Sequence, residues 1–371
     1  MAIKPGLGRK TSSKNPPILS QEFVIQNHAD IIASVAMIFV VGLTIQSTSA
    51  LANVFISLHH NVTGEEPSHE HPTGIPFTYE SGFKDYFAVF FYTLICIIMH
   101  AVLQEYVLDK ISKKFHLSKF KLNQFNEFGQ LVVFYILSFV WGADIIIKER
   151  YLTKFSLLLD DFPNHPMTFL HKLFFIIQLA YYLHMLPELY FQRIKKEDQQ
   201  PKIIHAVCGF SVVALAYFLG FQRIALVLIT LHYLSQAISY AFQLISVFDR
   251  DEKYASLRLF NSVTFILVRF STVVIAILSL YYGVANTDYS NRGLLTLVGI
   301  FVLQGYMIFD FITEQLRASR ERKREAQQKS SHAKKQKNNN KDKPKKKKES
   351  DLPEADQAAP SSPARKQIKT K

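Results

Sequence analysis

The sequence predicts an all-α, polytopic membrane protein with about eight transmembrane helices. Three observations carry that reading. Of the 371 residues, 49% are hydrophobic and 13% aromatic, which is too apolar for an average soluble domain. Eight separate stretches approach the roughly 20 apolar residues that a helix needs to cross a bilayer core. The net charge of +13 is also unevenly placed: Arg317–Lys371 holds 19 Lys/Arg against 7 Asp/Glu, a net +12, so the remainder is close to neutral.

The eight stretches are Ile31–Phe55, Tyr86–Val107, Gly129–Ile147, Met167–Tyr190, Ile203–Leu219, Ile224–Val247, Ser262–Val284 and Leu294–Leu316. The fifth is short and meets the sixth across "GFQR", which predicts a tight membrane hairpin. The first is expected to be an uncleaved signal anchor, because about 30 residues precede it and the apolar run continues past the Ala-x-Ala-like "SALAN".

Orientation follows from the basic residues of the short loops. The N-terminal arm, the segment after the second stretch (Lys110, Lys113, Lys114, Lys119, Lys121), the segment after the fourth (Arg193, Lys195, Lys196, Lys202) and the C-terminal tail are basic and predict cytosolic placement. The first intervening loop carries Glu65, Glu66, Glu70 and Glu80 against Lys84, and it holds the single Asn-x-Ser/Thr sequon, Asn61–Thr63. Both features predict a lumenal loop with a glycan on Asn61 and both termini in the cytosol. The predicted organisation is an N-terminal cytosolic arm (1–28), two transmembrane helices with the glycosylated loop (29–116), a six-helix domain (117–318) and a disordered basic tail (319–371).

Cys96 and Cys208 fall inside apolar runs and are expected as free, buried thiols rather than a disulfide. There is no Gly-rich phosphate loop, no Cys-x-x-Cys and no HExxH. "HH" at 59–60 and "HEH" at 69–71 are expected to be solvated loop histidines, so no metal or cofactor is implied. Polar residues inside the membrane are more informative, since they are costly there and turn inward. His184 and Glu188 share a helix face, with the helix-disrupting Pro187 between them. Arg269 needs a partner or must snorkel. His205 and His232 lie about 21 and 15 Å from the turn joining the fifth and sixth stretches, and so at similar depth. Gln236 shares a face with His232. His184, His205, His232, Gln236 and Arg269 are therefore the candidate lining of an intramembrane polar cavity.

Four blocks, "KNPPILSQEFVIQNHADI", "HAVLQEYVLDKI", "FNEFGQL" and "QLAYYLHMLPELYFQRIKKED", resemble the translocating-chain-associated membrane protein (TRAM) family. The likeness runs from about residue 11 to 320. It implies eight spans, an endoplasmic-reticulum membrane location and a glycan in the first lumenal loop. It also implies a place beside the Sec protein-conducting channel, in contact with nascent signal sequences, transmembrane segments and membrane lipids. From about Leu117 to Leu316 the chain resembles a TLC domain, the helical bundle shared with ceramide synthases.

The ceramide-synthase motif has two adjacent histidines and a Thr three residues after the second. In "IIHAVCG" His205 matches the first histidine, but Ala206 replaces the second and Gly209 stands in the Thr position. A later His-Asp pair becomes His232-Tyr233. Acyl transfer needs a base within hydrogen-bond reach of its nucleophile, and neither Ala nor Gly can serve. The expected function is a non-enzymatic accessory factor of the endoplasmic-reticulum translocon with no catalytic residues. The alternative is a lipid-handling TLC protein, either a divergent acyltransferase or a lipid-binding bilayer modulator. The basic tail is expected to contact ribosomal RNA or the anionic cytosolic leaflet.

Overall fold

The computed structural model describes residues 17, 20–65, 74–248, 255–284 and 288–341. It divides into two compact units, Met1–Gln304 and Gly305–Lys371.

The helices follow the apolar runs. In order they are α1 (Gln21–Gln26), α2 (His28–Thr44), α3 (Gln46–Ile56), α4 (Asp85–Val102), α5 (Asp109–Phe115), α6 (Lys119–Lys148), α7 (Phe169–Phe191), α8 (Lys196–Phe218), α9 (Gln222–Ser246), α10 (Ala255–Ala276) and α11 (Ser290–Lys341). A π-helical turn, Leu103–Leu108, joins α4 to α5 without a break, and another, Ile277–Gly283, extends α10. Among the described residues, seven helical segments are long and apolar enough to cross a membrane: 85–115, 119–148, 169–191, 196–218, 222–246, 256–283 and 290–324. These match the second to eighth expected stretches, four of which overrun a segment by one or two residues, and most are lengthened into polar flanks.

The first stretch departs from expectation. It is not one span but two helices, α2 and α3, meeting at Ile45, whose backbone is extended (φ −100°, ψ 119°). The rings of Phe39 and Phe55 lie 4.7 Å apart. Sixteen residues of continuous helix would separate them by about 24 Å, so α3 folds back on α2. The physical reason is the polar run "TIQSTS" (44–49) in the middle of the apolar stretch. The Thr48 hydroxyl donates to the carbonyl of Gly42 across the turn (2.9 Å), and a Cβ on Gly42 would stand 3.2 Å from that of Ala52.

A small sheet, not foreseen in an all-α reading, caps one end of the bundle. Strands β1 (Asn61–Glu65), β2 (Ile75–Tyr79) and β3 (Met167–Thr168) pair antiparallel in that order, with Asn61 opposite Tyr79 and Tyr79 opposite Met167. The sheet ties the loop before α4 to the loop before α7. Asn61 is exposed on it.

The core is formed by α6, α7 and α9, where Tyr135, Phe174, Phe175, Ile176, Leu226 and Tyr233 are fully or almost fully buried. Helices in lipid associate through close packing and small residues rather than through the hydrophobic effect. Gly142 of α6 shows this, since a Cβ there would lie 2.2 Å from Oγ1 of Thr230 on α9. The α8–α9 turn needs Gly220, whose φ is +86° and where a Cβ would stand 2.6 Å from Pro163. In α11, up to Gln304, the buried side chains are Leu297 and Gln304, while Leu295 and Val302 are 75% and 70% exposed.

The second unit is described only as the continuation of α11 to Lys341. That helix runs through 319–341, part of the tail expected to be disordered; Ala, Arg, Lys, Glu and Gln dominate 317–329 and favour helix. The remainder of that tail, like the first 16 residues, lies outside the described residues.

Candidate functional site

His205, on α8, places Nε2 3.3 Å from the hydroxyl of Tyr135 on α6. The Tyr182 ring of α7 packs edge-on to the same imidazole, with centroids 5.9 Å apart. Tyr182 in turn lies over Gly209, one turn further along α8: a Cβ at Gly209 would stand 2.3 Å from Cε1 of that ring. Ala206 is completely buried. Tyr233 of α9 is 1% exposed and donates to Oε1 of Gln178 (2.8 Å). The Gln178 amide donates to Ser138 (3.2 Å), and the hydroxyls of Tyr182 and Tyr233 are 3.5 Å apart. Tyr135 stacks parallel to Tyr240 at 5.5 Å. A group of tyrosines thus fills the space beside His205, and it satisfies its own hydroxyls as buried polar groups require.

His232 follows a different partner. Its Nδ1 is 2.9 Å from Nη2 of Arg269. A guanidinium only donates, so Nδ1 is the acceptor, which places any single ring proton on Nε2. Arg269 is 2% exposed, donates through Nη1 to Oε1 of Gln304 (3.1 Å) and lies over the Phe265 ring at 5.1 Å. The expected partner for this deep arginine therefore exists, as an α9–α10–α11 bridge. Gln236 is half-buried and takes no hydrogen bond among the described residues.

His184 is not in this group. Its Nδ1 bonds the carbonyl of Tyr181, and its ring faces His100 of α4 at 5.7 Å. Glu188 and Gln192 complete a second cluster, with His100 Nε2 3.4 Å from Glu188 and 2.9 Å from Gln192. Of the five residues expected to line one cavity, the structure sets His205 against Tyr135 and Tyr182, packs His232 beside Tyr233 and bonds it to Arg269, and turns His184 toward α4.

A third cluster escaped the sequence reading. Lys172 of α7 is 0% exposed, with Nζ 2.8 Å from Oδ1 of Asp85 at the start of α4. Nζ also donates to the carbonyls of His59 and Glu80, both at 2.7 Å, so all three of its protons are engaged. Oδ2 of Asp85 accepts from the Tyr217 hydroxyl and the Gly82 amide, each 2.8 Å. The network clamps the sheet and its loop to α4, α7 and α8. A lone Lys and a lone Asp at matching ends of two apolar stretches were the available signal. His60, expected to be solvated, belongs to the same loop. Its Nε2 accepts from the Lys84 amide (3.2 Å), and burial together with Lys172 and Lys84 outweighs Asp85 and lowers its pKa. His69 and His71 lie outside the described residues. Among the described residues no three His, Cys, Asp or Glu side chains converge as a metal would require. Cys96 and Cys208 are free, and Cys208 is exposed rather than buried.

A bundle of apolar helices with a tyrosine-packed centre defines a polytopic membrane protein of the TLC class, and the TLC domain family matches residues 124–313. Translocating chain-associated membrane protein 2 of Mus musculus is 37% identical over 330 residues, covering 84% of this chain and 86% of the relative. The Homo sapiens protein of the same name is 36% identical over 324 residues, covering 83% and 85%. Ceramide synthase 4 of Mus musculus is 28% identical over 100 residues, 27% of this chain and 25% of that one. The chain belongs to the translocating-chain-associated membrane protein family and carries its TLC domain.

Proposed function

We propose that this protein is a non-enzymatic accessory factor of the endoplasmic-reticulum translocon. It would contact nascent signal sequences and transmembrane segments beside the Sec channel and aid their translocation or insertion. Both termini would face the cytosol, with Asn61 glycosylated in the lumen. Kinship across more than four-fifths of the chain with proteins named for association with translocating chains supports the partner. The observation that carries the non-enzymatic part is the packing of Tyr182 against Gly209 and of Tyr233 against Gln178. Where an acyltransferase of this class would need a base, a nucleophile contact and room for substrate, this chain holds a methyl group, no side chain and three aromatic rings.

The test is reconstitution. Proteoliposomes containing the Sec channel should translocate chains with weakly apolar signals better when this protein is added, and purified protein should form no ceramide from a sphingoid base and acyl-CoA. Equal translocation with and without it would remove the accessory role. Ceramide formation that disappears in His205→Ala would favour the second reading, a lipid-handling TLC protein, which the partial similarity to ceramide synthase 4 supports. Protease protection of a C-terminal tag in sealed microsomes, or an endoglycosidase shift independent of Asn61, would overturn the topology.

A further inference from the structure

Helix α11 joins two kinds of sequence in one continuous helix, Ser290–Lys341. Its last large apolar side chain is Leu316. From Arg317 to Lys341 the helix runs on for 25 more residues, about 37 Å. No Gly or Pro falls between Tyr306 and Lys341, so nothing in the sequence hinges the polar part away from the apolar part. The polar part therefore stands off the membrane as an arm.

That arm is basic on most of its circumference. It holds ten Lys/Arg against two Glu, and no apolar residue larger than Ala. Arg317, Arg320, Lys323 and Arg324 are exposed, and Arg322 is half-buried, with Nε donating to the carbonyl of Ala318 (3.0 Å). At 100° per residue these five positions leave a gap of only about 140°, which holds Ala318 and Glu321. None of the five forms a salt bridge among the described residues.

Three kinds of partner attract a basic helix, and the composition separates them. A helix that lies on a leaflet buries an apolar face in it, and this arm has none. The field of an anionic leaflet also fades within about 8–10 Å, a fraction of the arm's length. A protein interface is built on an apolar core with charges at its rim. A nucleic-acid backbone needs only cations, and the planar donor fork of Arg, which supplies four of the five, suits phosphate.

We propose that residues 317–341 form a helical basic arm that binds the phosphate backbone of a folded RNA away from the membrane surface. RNA rather than DNA follows from the cytosolic C-terminus proposed above. The binding assay uses purified protein, and so succeeds or fails independently of that topology and of the translocon role.

Fluorescence anisotropy tests the arm, with the full chain in phosphatidylcholine nanodiscs and a fluorescein-labelled 16-base-pair RNA hairpin. One variant combines Arg317→Gln, Arg320→Gln, Arg322→Gln, Lys323→Gln and Arg324→Gln. The other, Ser319→Pro, keeps the charge and breaks the helix. Both lie beyond the apolar part of α11 and should leave melting unchanged. The expected result is saturable binding that the five-fold variant weakens at least ten-fold. The slope of log affinity against log salt should fall by about 2–4 in that variant, since each phosphate contact contributes about 0.7–0.9. Ser319→Pro should weaken binding at least three-fold. Phosphatidylserine vesicles that compete as well as unlabelled hairpin at equal anionic charge would assign the arm to the leaflet and overturn the proposal. Equal competition by polyglutamate would assign it to an acidic protein and overturn it too. Unchanged binding in either variant, or no binding at all, would also overturn it.

Discussion

Gly209 of α8 lies so close to Tyr182 of α7 that its missing Cβ would stand 2.3 Å from the tyrosine ring. The residue type that removes a catalytic-motif side chain is the one that admits the aromatic plug. Overpacking costs about 1–3 kcal/mol, so Gly209→Thr should lower the melting temperature of the detergent-solubilised protein. Combining it with Tyr182→Ala should relieve that clash. Additive losses in the double variant would show that the two positions are not coupled.

The Asp85–Lys172 clamp predicts a second cycle. Removing one partner of a buried ion pair strands the other and costs about 3–5 kcal/mol. Lys172→Met should therefore destabilise strongly, while Lys172→Met with Asp85→Leu should recover part of the loss. Limited proteolysis of residues 57–84 reports whether the sheet has been released. Wild-type resistance in Lys172→Met would contradict the clamp.

Phe39→Cys with Phe55→Cys tests the fold-back of α3. The ring separation of 4.7 Å predicts that a short bifunctional thiol reagent joins the two within one chain. A single straight span holds them about 24 Å apart and gives no internal crosslink. The background is Cys96→Ala/Cys208→Ser.

Gln236 offers the cleanest probe of a client-binding role within the bundle, because its replacement breaks no hydrogen bond among the described residues, whereas His232→Leu removes a partner of Arg269. A polar residue on a client helix gains about 0.6–2 kcal/mol from one hydrogen bond in a membrane. Gln236→Leu should then reduce insertion of marginal segments by about three- to thirty-fold, leave a Leu-rich signal unaffected and leave melting unchanged. An equal loss for both client classes would mean the residue acts through stability.

Seven of the eight apolar stretches were legible because hydropathy reports membrane helices directly. Their ends were not: α6 begins at Lys119 and α8 at Lys196, well before the apolar residues start, because amphipathic turns beyond the bilayer carry no hydropathy signal. The α2–α3 reversal was encoded in "TIQSTS", but averaging over the long apolar window hid six residues. At the site, the sequence offered only comparable depth as a reason to consider His205 and His232 together. Depth alone does not give a helix's rotation, so the facing of His184 toward His100 was not foreseen. The tyrosine plug depends on three helices meeting, and no local sequence pattern marks Tyr135, Tyr182 and Tyr233 as neighbours. Lys172 and Asp85 were passed over because each sits within about a turn and a half of the end of an apolar run.

The central claim is contact with nascent chains, and site-specific photocrosslinking tests it most directly. A ribosome-arrested chain with a photoreactive residue in its signal sequence would be irradiated in microsomes containing tagged protein. The account predicts an adduct from probes in the signal's apolar core that fades as the probe moves into the mature part. No adduct from any position, while the same probes label the Sec channel, would contradict it.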